Sequence, residues 1–344
     1  MSISIRRPKL SETSQIIRMW QISFGDSDEF TKWYFENRYS PARTLAAFDG
    51  DKAVASMQLF ERTFRIRDNL IPCRFIVGAC TLPEYRRQGL MRALLAQAAQ
   101  SYGAITLYPA DTQFYKKLGW GTFAYSYKIT VQPDDKQDIK NCAAYDDINI
   151  KELYELFKQK IASYPTALGR SIRDMYLWCA GELADGSKIL HMDGSYAIYK
   201  EEQNKIKVSE AVLRDNDLKY IASCLSKYGK PVEFSLSEPY EEAQAVPGGM
   251  LRLNPDVLEG LKAPEGADRE CAVYITDPLR VCSGGYRIEA KCGIYRVTRT
   301  DDYEEAMDIG EFSSIAAGGI KYTGRGFKMK KLFPDSDTAC FDKY

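Results

Sequence analysis

The chain opens on an alternation of apolar and polar positions, with Ile3 and Ile5 on one side, that predicts a short strand. The period then lengthens. From a cap near Ser11 or Thr13, the residues Ile16, Trp20 and Ser23 or Phe24 share one face of a helix that Gly25 ends. Phe30, Trp33, Tyr34 and Asn37 repeat the helical spacing. The period next drops to two. Residues 44–48, 53–60 and 64–66 have strand composition, with turns at Asp49-Gly50-Asp51 and Arg67-Asp68-Asn69, and predict an antiparallel meander.

A strand over 71–81 follows, then a loop at Leu82-Pro83-Glu84-Tyr85 and a helix over 89–102, whose Leu90, Ala93, Leu94 and Ala98 recur every three to four residues. Residues 104–107 read as a buried strand, 113–118 as a short helix and 122–131 as a last strand. Pro133-Asp134-Asp135-Lys136 reads as a linker. From Ile150 a new helical pattern starts (Leu153, Leu156, Phe157, Ile161), and a strand pair follows at 195–199 and 206–212. This repeats the opening order and suggests an internal duplication. Pro247-Gly248-Gly249 and Pro264-Glu265-Gly266 punctuate the end of the block. Strands at 272–276, 286–290 and 294–298 make up a third block, the last two joined by a Lys291-Cys292-Gly293 hairpin turn.

Composition narrows the function classes. At 344 residues the chain is long enough for two to three domains of ~150 residues. Forty-seven basic and 47 acidic residues balance, so no global field favours nucleic acid or an anionic membrane. An apolar share of 45% with 27% charged residues is that of a folded chain. No apolar run approaches the ~20 residues of a membrane span, and Arg6, Arg7 and Pro8 stand where a signal peptide needs its apolar region. A cytoplasmic protein is expected. Nine scattered cysteines without a CxxC pair predict reduced thiols. The single histidine, His191, lies in a strand-and-turn segment and reads as structural. Histidine-based nucleophile and metal chemistry therefore has almost nothing to build on, and no metal is expected.

The most informative segment is residues 75–92. A strand runs into Arg86-Arg87-Gln88-Gly89 and then into a helix, so free backbone N–H groups converge beside two guanidinium groups. Such a turn suits a pyrophosphate. The other reading is a solvated basic turn before an ordinary helix.

The run Arg86-Arg87-Gln88-Gly89-Leu90-Met91 resembles the acetyl-CoA loop of the GCN5-related N-acetyltransferases (GNAT), in which Arg or Gln is followed by two residues, Gly, one residue, and Gly or Ala. Met91 departs from the last position. With its Leu-Pro-x-x-Arg-Arg-x-Gly-Leu context, the segment is similar to the enhanced intracellular survival (Eis) subgroup. Phe114-Tyr115-Lys116-Lys117-Leu118-Gly119-Trp120-Gly121 resembles that subgroup's second motif. Thr276-Asp277-Pro278, Tyr286-Arg287-Ile288 and Asp308-Ile309-Gly310 resemble its C-terminal domain.

The resemblance implies an α/β (α+β) chain of two GNAT-like domains followed by a sterol-carrier-protein-like domain. Their bounds are 1–132 for the catalytic domain, 140–262 for a second domain without a cofactor loop, and 265–344 for the third. The middle domain reads as structural, since no Arg-x-x-Gly loop follows a strand there.

The implied activity is transfer of acetyl from acetyl-CoA directly to a primary amine on a small or flexible substrate. The resemblance places Ala79, Cys80, Thr81, Arg86, Arg87, Gln88, Gly89, Leu90, Met91 and Arg92 at the cofactor, with Cys80 expected to pack on the opposite face. Tyr115 is the implied general acid, the alternative being a core aromatic. The α-carboxylate of Tyr344 is the implied base or amine orienter, the alternative being a frayed terminus. Phe24 and Asp26 match a segment lining the amine pocket, although Asp26 equally fits a helix end. Lys343 and Ala110 depart from the aminoglycoside-modifying members, so antibiotic modification is not assumed. The resemblance also implies a homo-oligomeric ring, a hexamer. A competing reading is a non-catalytic apolar-ligand carrier or assembly protein with a vestigial acetyltransferase fold.

Overall fold

The computed structural model describes residues 2–132, 148–192, 194–214, 218–225, 228–264, 269–319, 321 and 328–342. The first block begins with β1 (Ile3–Arg6), α1 (Thr13–Phe24) and α2 (Asp28–Asn37). Gly25, at φ 69°, ends α1, and the Ser27 hydroxyl accepts from Phe30 N at 3.1 Å to start α2. The meander follows as β2 (Thr44–Asp49), β3 (Lys52–Ile66) and β4 (Asn69–Thr81). The two strands expected at 53–60 and 64–66 are one continuous strand. Its polar Arg62 breaks the alternation in sequence, yet it is buried, because its Nε donates to Asp342 at 2.7 Å. Next come α3 (Leu90–Ser101), β5 (Ala104–Leu107), α4 (Thr112–Lys116) and β6 (Gly121–Val131).

The second block holds α5 (Ile150–Ala162), β7 (Thr166–Leu168), α6 (Ile172–Ala184), β8 (Lys188–Met192), β9 (Ser195–Glu201), β10 (Ile206–Val212), α7 (Leu218–Leu225), β11 (Val232–Leu236) and β12 (Gln244–Leu253). Among the described residues a single sheet runs β1-β2-β3-β4-β5-β12-β6-β11-β10-β9-β8, so the first two blocks share one backbone hydrogen-bond network. Strand β12 enters between β5 and β6, with Met250 opposite both Leu107 and Thr122. Pro247-Gly248-Gly249, expected to close the block, lies inside β12 instead. The Pro and two Gly mark irregularities in its register against β6, a place where a strand tolerates them.

The third block contributes β13 (Arg269–Thr276), β14 (Gly284–Lys291), β15 (Ile294–Arg299), β16 (Glu305–Asp308), α8 (Ile309–Gly318) and β17 (Thr338–Cys340). The first four strands form a second sheet, in the order β15-β14-β13-β16. Helix α8 starts in a capping box of Asp308 and Glu311 and is buried along nearly its whole length, packed against β6 and β12 on one side and β13 and β16 on the other. Gly121 permits that approach: a Cβ there would sit 1.9 Å from Gly310 O. β17 then pairs parallel with β7, which carries the tail back into the large sheet. No described helix is long and apolar enough to cross a membrane.

One local feature opens the site. Parallel pairing of β4 with β5 covers only Arg74–Ile76 against Ile105–Leu107. Beyond it, Gly78 and Ala79 together face the single residue Met57 of β3, a β-bulge with Gly78 at φ 62°. A side chain at Gly78 would strike Trp20 at 2.4 Å. The two strands separate past this point, and two cavities lie in the gap.

Candidate active site

The first cavity, of 550 Å³, lies between the end of β4 and the N-terminus of α3. Ala79, Cys80 and Thr81 line one side of it, and Arg86, Arg87 and Gly89 to Arg92 the other. Gly89 adopts φ 79°, and a Cβ there would meet no atom within 4 Å, so the conformation demands glycine and the space above it is open. No side chain caps α3, which leaves its first N–H groups for a ligand. Arg87 is also left-handed, at φ 63°. These features fit the pyrophosphate and pantetheine arm of a coenzyme A thioester.

Not all the expected cofactor residues behave alike. Gln88 does not line the cavity; its side-chain amide donates to Glu84 O at 3.2 Å. Arg86 Nε donates to Thr81 O at 3.2 Å, and Arg92 donates to Pro278 O in the third block, so both are partly committed to structure. Cys80 packs with Ile16 and Met19, and its Sγ lies 3.6 Å from Ser56 Oγ. Burial pushes its thiol pKa up, away from a nucleophilic thiolate.

The second cavity, of 660 Å³, opens on the far side of the bulge. Phe24, Ala79, Ala110 and Tyr115 line both, and so mark where the two meet. Tyr115 stands on α4, whose start is fixed by Asp111 Oδ1 accepting from Gln113 N at 2.9 Å and Phe114 N at 3.1 Å. Gly119, at φ 90°, turns the chain so that Trp120 N donates back to Tyr115 O at 3.1 Å. The ring packs edge-on to Phe114 and Trp120, at 5.1 and 6.1 Å between centroids. Burial, with a contribution from the Asp111 charge, pushes the phenol pKa to about 12. It keeps its proton across the physiological range.

The rest of the second cavity draws on distant parts of the chain. Asp26 lines it one residue past Gly25 and accepts from the Trp20 indole at 2.7 Å, so it is both a helix-end residue and a cavity residue. Burial raises its pKa. Trp20 is held by stacking on Tyr34 at 4.4 Å. The opposite wall comes from the middle block: Trp178, Glu182 and Asp185 from α6 and its C-cap, and Lys207 and Ser209 from β10. The middle block thus contributes part of the cavity wall. Glu182 Oε2 accepts from the Ser187 and Ser209 hydroxyls at 2.9 and 3.0 Å, and burial raises its pKa. One sequence signal was available for these residues. Glu182 and Asp185 fall i, i+3 at the end of a helix whose last turn has no basic residue, where the macrodipole disfavours carboxylates.

Tyr344 lies outside the described residues. The tail up to Asp342 is firmly held: Ser237 Oγ donates to Cys340 O at 3.0 Å, Arg170 donates to Phe341 O, and Asp342 sits between Arg62 and Arg170. Burial opposes the charge on Asp342, but the two guanidinium groups outweigh it and hold its pKa below the usual carboxylate range. His191 lies on β8 with Nδ1 4.0 Å from Glu152 and lines neither cavity. Among the described cysteines, Cys73, Cys80, Cys179, Cys271, Cys282, Cys292 and Cys340 are free thiols.

Known proteins resemble this chain in sequence over its first block and in fold over its whole length. Residues 4–123 match the acetyltransferase (GNAT) domain family. An uncharacterized N-acetyltransferase of Streptomyces avermitilis is 30% identical over 138 residues, which is 38% of this chain and 33% of that protein. The chain thus spans about a third of the length of that relative. Over their whole lengths, a GCN5-related N-acetyltransferase from Anabaena variabilis (TM-score 0.76, 18% identity, 100% of both chains) and Eis1 from Mycobacterium abscessus (0.68, 14%, 100% of both chains) have a similar fold. The chain therefore carries an acetyltransferase domain of the GNAT type over residues 4–123, within a full-length fold shared with these two proteins.

Proposed function

We propose that the protein is an acetyl-CoA-dependent N-acetyltransferase that moves acetyl directly to a primary amine. The observation that carries this is the junction of the two cavities at Tyr115, one beside a basic helix N-terminus and the other lined with carboxylates. Acetyl-CoA, when bound, supplies the thioester. The remaining tasks fall to the chain. The N-terminus of α3, Arg86 and Arg87 hold the anionic end of the cofactor. The backbone of the Gly78-Ala79 bulge, no longer fully paired to β3, is free to bind the pantetheine arm and orient the carbonyl.

Tyr115 carries its proton into the reaction and donates a hydrogen bond to the departing sulfur. With the phenol near 12 and a thiol near ~8.5, full proton transfer in the empty site runs uphill by roughly 5 kcal/mol. Tyr115 therefore acts chiefly as a hydrogen-bond donor to developing negative charge, and the proton lost by the amine completes the balance. Asp26 and Glu182 hold the incoming amine as an ammonium and orient it.

For the base we propose the α-carboxylate of Tyr344, two positions beyond the anchored Asp342. The Asp342 clamp supports that reading, because it anchors the chain as far as residue 342 to Arg62 and Arg170. The same reading includes kinship with the Eis group, the domain bounds 1–132, 140–262 and 265–344 with a sterol-carrier-like third domain, a cytoplasmic location and a ring-shaped homo-oligomer. Two joined cavities with a protonated phenol at the neck favour catalysis over the carrier alternative.

The test is acetyl-CoA turnover against polyamines, aminoglycosides and lysine peptides with product masses recorded. An N-acetylated product that disappears with Tyr115→Phe is expected. Acetyl-CoA binding without transfer to any amine would contradict the proposal.

A further inference from the structure

The cavity beyond Tyr115 contains more charge than an amine alone requires. Asp26, Glu182, Asp185 and Glu233 line it, together with Lys128 and Lys207. Each carboxylate has a partner inside the protein. Lys200 pairs with Asp185 at 2.7 Å and Lys205 with Glu233 at 2.9 Å. The Trp20 indole donates to Asp26, and two serine hydroxyls donate to Glu182. The lysines differ: among the described residues neither Lys128 nor Lys207 forms an ion pair or a hydrogen bond through its side chain.

Sheet geometry puts these two cations on one floor. Lys128 of β6 is the register partner of Ser235 on β11, and Lys207 of β10 is the partner of Glu233, two residues along the same strand. Positions two apart share a face, so both lysines rise on the cavity side, flanking β11. One strand intervenes, a lateral separation of about 10 Å, and two flexible four-carbon stems converge across that distance on a single anion. A polycation entering here would meet two positive charges without a paired carboxylate, while only Asp26 and Glu182, bonded to neutral donors, keep a negative charge for an ammonium.

We propose that the amine acetylated at this site also carries an anionic group, a carboxylate or a phosphate, held by Lys128 and Lys207. The proposal rests on the acetyl-transfer reading and names its substrate class. Lys207 of the middle block and Lys128 of β6 then select the substrate together, while Tyr115 and the α3 turn of the first block serve the transfer.

Two matched pairs test it: lysine against cadaverine for a carboxylate, and phosphoethanolamine against ethanolamine for a phosphate. Binding to the full chain is measured by calorimetry, and transfer separately by product mass. In one pair the anionic member is expected to bind about tenfold more tightly. Lys128→Gln with Lys207→Gln should erase that gap, and Lys128→Glu with Lys207→Glu should reverse it. The pair that shows the gap identifies the anion. Equal binding within both pairs, no binding at all, or a gap that survives the double substitution would overturn the proposal. If the anionic amine binds through the lysines yet is never acetylated, the transfer reading falls and the anion site stands. If the two members of each pair are acetylated equally well, the transfer reading stands and the anion site falls.

Discussion

The two cavities that meet at Tyr115 are built on different plans. The cofactor side is assembled almost entirely from residues 79–118, by backbone conformation: a bulge, a left-handed glycine and an uncapped helix start. The amine side is assembled from side chains scattered between Trp20 and Ser235. A cofactor of fixed chemistry is met by backbone groups, whose geometry only certain residues permit, and so leaves a local motif. A substrate met by side chains leaves charges that any surface also carries.

The difference can be broken in several ways. The largest effect is expected at the junction itself. Tyr115→Phe removes the hydrogen bond to the leaving sulfur and should lower kcat by about 100-fold or more, with acetyl-CoA affinity little changed, as measured by steady-state kinetics and calorimetry. Next is the tail clamp. Asp342→Ala strips the counter-charge from buried Arg62 and Arg170 and should cost about 3 kcal/mol in denaturant unfolding. Because the Asp342 pKa is depressed, its stabilisation is present above the unfolded value near ~3.9 and is lost as pH falls through the folded value. The wild-type advantage over Asp342→Asn should therefore shrink on acidification.

A smaller effect separates the two plans. Gly89→Ala forces an L-residue to φ 79° and should raise the KM for acetyl-CoA about tenfold while leaving the amine KM nearly unchanged. Glu182→Gln should do the opposite, raising the amine KM several-fold, by about 1 kcal/mol of lost charge-assisted binding, without touching the acetyl-CoA KM. A single substitution that moved both constants equally would erase the distinction between the cavities. The smallest effect is a null one. With its pKa at about 12, Tyr115 contributes no alkaline limb to the pH–rate profile up to about pH 10. A limb in that range that vanishes in Tyr115→Phe would contradict the burial assigned to the phenol.

Legibility in the sequence follows the same divide. Helices α1 and α3 and the third-block hairpin stand where the apolar periodicity puts them, because each buries a face its own residues define. Gly89 and the Phe114-Tyr115 pair are readable because each lies in a short contiguous motif, Arg86 to Met91 and Phe114 to Gly121. Strand β3 reads in sequence as two strands because the burial of Arg62 depends on Asp342, 280 residues away. The strand role of Pro247-Gly248-Gly249 depends on β6, which accepts the irregular register. Glu182 and Lys207 are ordinary residues on their own helix and strand. Only the sheet that joins the first two blocks brings them to the cavity.

The central claim is that transfer occurs where the two cavities meet. The most direct measurement is a crystal structure of the full chain with coenzyme A and a slow amine substrate. The account predicts the coenzyme sulfur within about 3.5 Å of the Tyr115 hydroxyl and the amine on the side of Asp26 and Glu182. A sulfur seated away from Tyr115, or an amine lodged outside the Asp26 and Glu182 cavity, would contradict it.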